Sequence, residues 1–454
     1  VRVRIDTVIA RRYASTNNVA VHFAFVPNER YRFGEIQVDQ DTTVAEKVDP
    51  AVVLRHLDFV QGDFYGEGKK VDSERNLNRL GIFDASRIEP IVEHAPSLDV
   101  PMRVFVRPRP FHELTPEIGI NDENNAFNIA TGIGYSNRNF FGGARNFSAR
   151  LRISLQSIQD IDFGRMLNQT GLKDSSLVAR IELSAQITQP YLFSNKVSLT
   201  ASIAAILDKQ EPYFAPIYRG RLAVTAQQAR FTRIIGEFNL ERVDPTGLTD
   251  TGKVIISKRQ ELTPQFNSII SLTIQRDKRN DLFSPTSGFL HSGFIEEAGF
   301  LPAVFGRVLG SRLPYSRYFK FSGVGQWYWD GGNDQRFIWA ARVRGGFAEL
   351  YGRRQIVGND TLLVPVPITR RFYGGGSGSV RGWKSRELGA VPFPNEGGNA
   401  QFEASLEGRW HLFKDAGRFW FINLPNISLV MFYDVGNIWT DVKRVRAKEI
   451  AMAV

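Results

Sequence analysis

Val178–Ile187 reads VARIELSAQI. In an extended chain, Arg180, Glu182, Ser184 and Gln186 fall on one face, and Ile181, Leu183, Ala185 and Ile187 on the other. The same two-residue period recurs on both sides of this stretch. Ser148, Arg150, Arg152 and Ser154 oppose Phe147, Ala149, Leu151 and Ile153; Ser198, Thr200 and Ser202 oppose Val197, Leu199, Ala201 and Ile203. Arg342 and Arg344 oppose Trp339, Ala341 and Val343. In Ala400–His411, Gln401, Glu403, Ser405, Glu407, Arg409 and His411 oppose Ala400, Phe402, Ala404, Leu406 and Trp410. A soluble sandwich also alternates, but its strands average about five to six residues. Many of these runs reach about nine to eleven residues, the length a tilted membrane-spanning strand requires. Arg and Glu sit in mid-strand on the polar face, which suits a wet lumen. Aromatic clusters mark run ends, at Phe140-Phe141, Trp327-Tyr328-Trp329 and Phe419-Trp420-Phe421, as in interfacial girdles. The pattern predicts an all-β transmembrane antiparallel barrel over the larger part of the chain.

Composition agrees and narrows the choices. The 454 residues exceed one ordinary soluble domain. With no Cys, a disulfide scaffold, a Cys-ligated metal centre and a thiol nucleophile are excluded. Mean hydropathy is −0.22 and no apolar run approaches a helical span; an alternating barrel averages to such a value. The net charge of +10 does not mark a nucleic-acid binder here, because Arg150, Arg152, Arg180, Arg342 and Arg344 map to the polar face of strands. Val1 opens the chain with no visible signal peptide, so either one was removed or the sequence begins partway through a longer protein. From residue 115 helical periodicity disappears. Eleven runs precede the Gly-rich stretch at Gly374 and three follow it, the first being 115–121 and the last 447–454. A sheet in lipid must close to satisfy its backbone groups, so closure is expected. The last run stops without a turn, which predicts further C-terminal residues.

Residues 1–108 read as mixed α/β. Val1–Ala10 and Val19–Val26 alternate like strands around a polar Ser15–Asn18 connection. Tyr31–Val38 is a strand, Asp49-Pro50 starts a helix, and a second helix over 72–80 stops at Gly81. Phe83–Val92 and Val100–Val106 are two more strands, giving β-α-α-β-β order from residue 31. Pro108-Arg109-Pro110 closes the region as a stiff linker.

Tyr351–Gly398 is the longest irregular stretch among the runs, and such loops are usually functional. It contains Gly374-Gly375-Gly376-Ser377-Gly378-Ser379-Val380-Arg381-Gly382-Trp383. A phosphate loop fails, since no Gly-Lys-Ser/Thr follows and no helix pattern comes after Trp383. Asp434, on the lumen face of 427–438, needs a partner or water. A solvated Asp and a glycine linker remain the bland alternatives.

Together, Ser379-Val380-Arg381-Gly382-Trp383, Arg386-Glu387-Leu388-Gly389 and Asp434-Val435-Gly436-Asn437-Ile438-Trp439 resemble the BamA/TamA superfamily of outer-membrane assembly and translocation barrels. Tyr31-Arg32-Phe33-Gly34-Glu35-Ile36 resembles the opening strand of a POTRA (polypeptide-transport-associated) domain. Asn137–Gly143 resembles the family's turn after the second barrel strand, and Asp277–Asp281 with Phe283–Gly288 its mid-barrel hairpin. The loop texture leans towards the TamA type, in a Bacteroidetes-like form. The resemblance implies an α+β POTRA module followed by a barrel of sixteen strands, the last two absent from this chain. It divides the chain into 1–28, the end of a preceding POTRA domain; 29–110, a POTRA domain; and 111–454, the barrel.

It further implies that Val380, Arg381, Gly382 and Trp383 form the motif of the sixth external loop, folded into the lumen. Asp434 is the preferred wall partner, Glu403 and Glu407 are the alternatives, and Gly436 completes the strand motif. Trp383 departs from the more usual Phe or Tyr. Physically, a guanidinium in a narrow lumen calls for a bidentate carboxylate. Thr115, Glu117, Ile118, Gly119, Ile120 and Asn121 would line a weak lateral seam in a short first strand. The implied function is insertion or secretion of β-barrel-type clients in the Gram-negative outer membrane, with POTRA domains receiving substrate in the periplasm. Unfolded clients, periplasmic or membrane partner subunits and outer-membrane lipid would be partners, with no nucleic acid, metal or cofactor. No catalytic motif supports an enzyme: there is no Gly-x-Ser-x-Gly elbow and no His-Glu-x-x-His. A passive diffusion porin is the alternative of another class.

Overall fold

The computed structural model describes residues 3–13, 18–27, 30–91, 98–123, 126–156, 178–209, 213–247, 265–309, 314–332, 334–357, 360–389, 397–413, 417–420, 422–423 and 427–454. The chain divides into two compact units. The first is Val1–Glu113 with Ser136–Phe147 and Gln189–Val197; the second is the remainder.

In the first unit, β1 (Val3–Tyr13) and β2 (Asn18–Pro27) form an antiparallel pair. The turn expected at Ser15–Asn18 lies mostly outside the described residues. Then follow β3 (Arg32–Gln40), α1 (Pro50–Leu54), α2 (Glu67–Arg79), β4 (Phe83–Pro90) and β5 (Asp99–Pro108). Central β5 pairs parallel with β3 and antiparallel with β4. Pro50 fixes the first helical position and the Asp49 carboxylate accepts from Ala51 N at 2.9 Å, so α1 is capped by its own sequence. Helix α2 begins at Glu67, a turn before the expected 72–80, because the polar Glu67–Lys70 stretch gives no apolar period. It ends as expected before Gly81, at φ 69°. Met102, Val104 and Val106 alternate to one face of β5 and are fully buried with Phe33, Val53, Leu77 and Ile82. Phe33 stacks on Phe59, centroids 3.9 Å apart. His56 lies in the same core, its Nδ1 2.6 Å from Val52 O, and burial pushes its imidazole below the ordinary value. The hairpin turn carrying Asn195 joins this unit: Asn195 Nδ2 donates to Asp58 Oδ1 at 2.6 Å.

The second unit is one large sheet. Its strands are β6 (His112–Glu123), β7 (Ala126–Asn137), β8 (Asn146–Gln156), β9 (Val178–Gln189), β10 (Val197–Lys209), β11 (Tyr213–Ala229) and β12 (Thr232–Val243). After the two-residue β13 (Thr246–Gly247), on the end of β11, come β14 (Gln265–Asp277), β15 (Gly288–Ala298), β16 (Tyr318–Asp330) and β17 (Phe337–Leu350). Two small pairs, β18 (Gln355–Val357) with β19 (Asp360–Leu362) and β21 (Arg418–Phe419) with β22 (Ile422–Asn423), flank β20 (Ala400–His411). β23 (Ser428–Trp439) and β24 (Ala451–Ala453) complete the series. Fourteen strands lie side by side in chain order from β6 to β24. Their number matches the fourteen alternating runs, and all but the last lie over most of the expected stretch.

Burial is inverted relative to a soluble sandwich. Leu183, Ile203, Leu272, Ile274, Phe321, Leu406 and Met431 are exposed, while Asn239, Glu241, Asn267, Glu296, Glu403, Ser405 and Asp434 are buried. The polar face is therefore the inner face. The outer face has the composition that lipid requires. Among the described residues no helix is long and apolar enough to cross a membrane.

Four expectations need correction. Strand β6 spans twelve residues, not the short 115–121, because the backbone ladder with β7 continues through polar residues that break the apolar alternation. Helical structure does not vanish after residue 115: α3 (Phe300–Leu309) follows β15, and its near-continuous apolar sequence hides the helical period. The 447–454 run holds only the three-residue β24, since Ala447–Glu449 turns in a 3₁₀ helix. Closure is not found: β6 and β24 are the two ends of the sheet, with no ladder between them among the described residues.

Candidate functional site

The segment 364–389 lies against the inner face of the second unit and is fixed there at two places. The first is Arg370, at the end of a 3₁₀ turn, Ile368–Arg370. Its Nη2 is 3.1 Å from Glu241 Oε2 on β12 and its Nη1 3.3 Å from Glu296 Oε2 on β15. Arg219 donates to the same Glu241 oxygen at 2.6 Å, and Tyr318 OH donates to Glu296 Oε1 at 2.7 Å. Lys320 Nζ donates to Arg370 O at 2.6 Å and stands 4.4 Å from the Phe372 ring centroid. Glu241 and Glu296 are almost wholly buried, so paired cations are what permit their charge there.

The second fixing point is the glycine-rich knuckle. Gly374 bridges Leu388, and Gly376 N donates to Trp383 O at 2.8 Å, folding the stretch back on itself. Gly375, at φ 96°, and Gly382, at φ 88°, take the left-handed backbone that this reversal needs. Ser379 Oγ accepts from Gly375 N at 2.9 Å and donates to Glu403 Oε1 at 2.7 Å. From β17, Arg342 donates to Gly378 O at 2.8 Å and Ser379 O at 3.1 Å.

Arg381 is thereby aimed at β20 and β23. Its Nε and Nη2 donate to Asp434 Oδ2 and Oδ1 at 2.7 and 2.8 Å, a bidentate pair. Its backbone N also donates to Asp434 Oδ2, at 3.1 Å. Nη1 lies 2.9 Å from Glu407 Oε1, and the guanidinium sits 3.6 Å above the Phe432 ring centroid. Ser405 Oγ donates to Asp434 Oδ1 at 2.6 Å, completing the shell of a carboxylate with no solvent exposure.

The residues expected from sequence are distributed as follows. Asp434 takes the bidentate contact and Glu407 a second one, so preferred and alternative partners act together. Glu403 serves the knuckle through Ser379 and Gln401, and stands 3.5 Å from Arg344. Val380 is buried against Gly436, where a Cβ would meet Phe402 O at 2.7 Å and Val380 Cγ2 at 3.0 Å. Trp383 remains 43% exposed, and its carbonyl accepts from Gly376 N. On β6, Ile118 is 88% and Ile120 65% exposed, Thr115 is exposed, and a Cβ on Gly119 would meet open space. Glu117 pairs with Arg150 at 3.0 Å. Asn121 lies in the strand, but its side chain falls outside the described set. The Arg370 cluster was missed entirely. Its only sequence signal is two carboxylates, Glu241 and Glu296, in mid-sheet runs without an obvious cation.

An antiparallel sheet with an apolar outer face and a long loop pinned to its polar face has the architecture of a membrane β-barrel. The chain belongs to the Omp85 superfamily, whose domain matches residues 139–452. The fold is similar to BamA from Haemophilus ducreyi lacking POTRA domains 1–3, with TM-score 0.61, 13% identity, 97% of this chain and 78% of that chain covered. It is also similar to CdiB from Acinetobacter baumannii, with TM-score 0.56, 14% identity and coverage of 98% and 70%. CdiB from Escherichia coli gives 0.54, 13%, 99% and 72%. At these identities the likeness is one of fold. Curated protein sequences give no match to the chain.

Proposed function

We propose that this barrel inserts or secretes β-barrel-type clients through a weak lateral edge at β6, gated by the loop that Arg381 clamps. In this reading residues 1–28 end a preceding POTRA domain, 29–110 form a POTRA domain, and 111–454 form the barrel. The α/β region receives unfolded clients in the periplasm and offers sheet edges to them. Client insertion draws on burial of its apolar face and pairing of its backbone. No nucleotide is required.

The carrying observation is the Arg381–Asp434–Glu407 clamp, a partly buried charged contact between a loop and the inner wall, centred on the buried Asp434. Removing one partner of such a pair costs about 3–5 kcal/mol, because the other charge is left uncompensated. Arg386, by contrast, stacks its guanidinium 4.5 Å from the Tyr373 ring centroid and takes no part in the clamp. Arg381→Ala should therefore impair client assembly strongly and Arg386→Ala weakly, measured as the rate of client folding into vesicles that contain the protein. Wild-type rates in both variants would remove the clamp from the mechanism.

A further inference from the structure

The β11–β12 and β14–β15 hairpins end side by side, Asp277 N donating to Phe231 O at 3.0 Å. Ladder partners share a face, so the outer surface can be followed down to this end. Ile234 pairs with Ile274 in the last wholly apolar row. One row further, Arg276 stands between Thr232 and His291. Beyond it lie Lys278, whose N donates to Phe289 O at 2.8 Å, and Phe289 itself, opposite Trp327. Lys278 Nζ is 5.7 Å from the Phe231 ring centroid and 6.0 Å from that of Phe289; the Arg230 guanidinium is 5.3 Å from Phe231.

Arg230, Arg276 and Lys278 are all exposed, and among the described residues none has a carboxylate at ion-pair distance. The nearby carboxylates are already engaged. Asp277 faces the other way in a bidentate pair with Arg279, at 2.9 and 2.7 Å. Asp281 Oδ1 accepts from Phe283 N and Ser284 N at 2.8 and 2.7 Å. Asn280 Oδ1 caps Thr286 N and Ser287 N at 3.0 and 3.1 Å. These caps stiffen a tip that holds Leu282, 67% exposed, and Phe283, 96% exposed, in the open.

We propose that this corner binds the headgroup of an anionic phospholipid in the membrane leaflet at that end of the sheet. Arg230, Arg276 and Lys278 take the phosphodiester, Phe231 and Phe289 sit at headgroup level, and an acyl chain runs along Ile234 and Ile274. The occupant follows from charge complementarity: three unpaired cations project outward at the height where the apolar face stops, which is where lipid phosphates lie. The proposal rests on the outer-membrane placement of the sheet and not on the client-insertion reading.

The test uses the full chain folded in zwitterionic detergent. Phosphatidylglycerol or phosphatidylcholine of equal chain length is titrated in, and retained lipids are counted by native mass spectrometry. One basic residue near an anionic surface is worth about fivefold in binding. Wild type should prefer phosphatidylglycerol by about tenfold or more. Arg276→Gln with Lys278→Gln should lower that preference at least about fivefold, and Lys443→Gln with Arg444→Gln should keep it. Equal retention of the two lipids by wild type overturns the proposal, and that comparison stands even if the double variant does not fold. An unchanged preference in a folded double variant also overturns it. A photo-cross-linking side chain in place of Phe283 should label lipid in cells. A protein adduct there in place of lipid would assign the corner to a protein partner instead.

Discussion

Arg370 and Arg381 solve the same problem in different ways. Each brings a permanent cation to buried carboxylates, but only Arg381 announces itself in sequence. Its loop motif is contiguous, and Asp434 opens a recognisable Asp-x-Gly pattern. Arg370 is met by Glu241 and Glu296, two strands apart, and their convergence depends on register. Alternation assigns each glutamate to the inner face but says nothing of its height on the wall. Arg370→Ala should leave Glu241 with Arg219 alone and Glu296 without an ion-pair partner among the described residues, at a cost of about 3–5 kcal/mol. The unfolding temperature in detergent, read by heat-modifiable gel mobility, should fall clearly. Replacing Arg370 by Met together with Glu241→Gln and Glu296→Gln should recover much of the loss. If Arg370→Ala alone melts like wild type, the cluster is not an anchor.

At the scale of single elements, strands were legible and their ends were not. The period of two in Val178–Ile187 places its residues correctly, as do the runs that became β20 and β23. Strand β6 shows why boundaries fail: a ladder is made by backbone, and polar side chains do not interrupt it. Its proposed weakness cannot come from shortness. It comes from an end position in the sheet and from Gly119, which has no side chain to pack. A photo-cross-linking residue at Thr115 or Ile120 should therefore capture a client in transit, while one at Leu272, in mid-sheet, should not. Equal adducts at both places would argue against a lateral route at β6.

For the molecule as a whole, the two anchors determine how a lumen of polar residues behaves. A loop fixed to β12, β15, β17, β20 and β23 lies across much of the inner face. Conductance in planar bilayers should be small or intermittent. The Arg370→Ala, Arg381→Ala double variant should show larger and longer openings. A steady, large current from the wild type would support a passive porin. Composition alone could not separate these outcomes, because a plugged lumen and an open one need the same alternating strands.

The inverted burial of the sheet also reaches into its thermodynamics. Heat capacity on unfolding rises with apolar surface newly hydrated and falls with polar surface hydrated. Here the apolar side chains face hydrocarbon or detergent before and after melting, while the groups that gain water are Asn239, Glu241, Asn267, Glu403 and their neighbours. The heat-capacity increment per residue of the sheet should accordingly be smaller than that of a soluble domain, and its curve of free energy against temperature correspondingly flat.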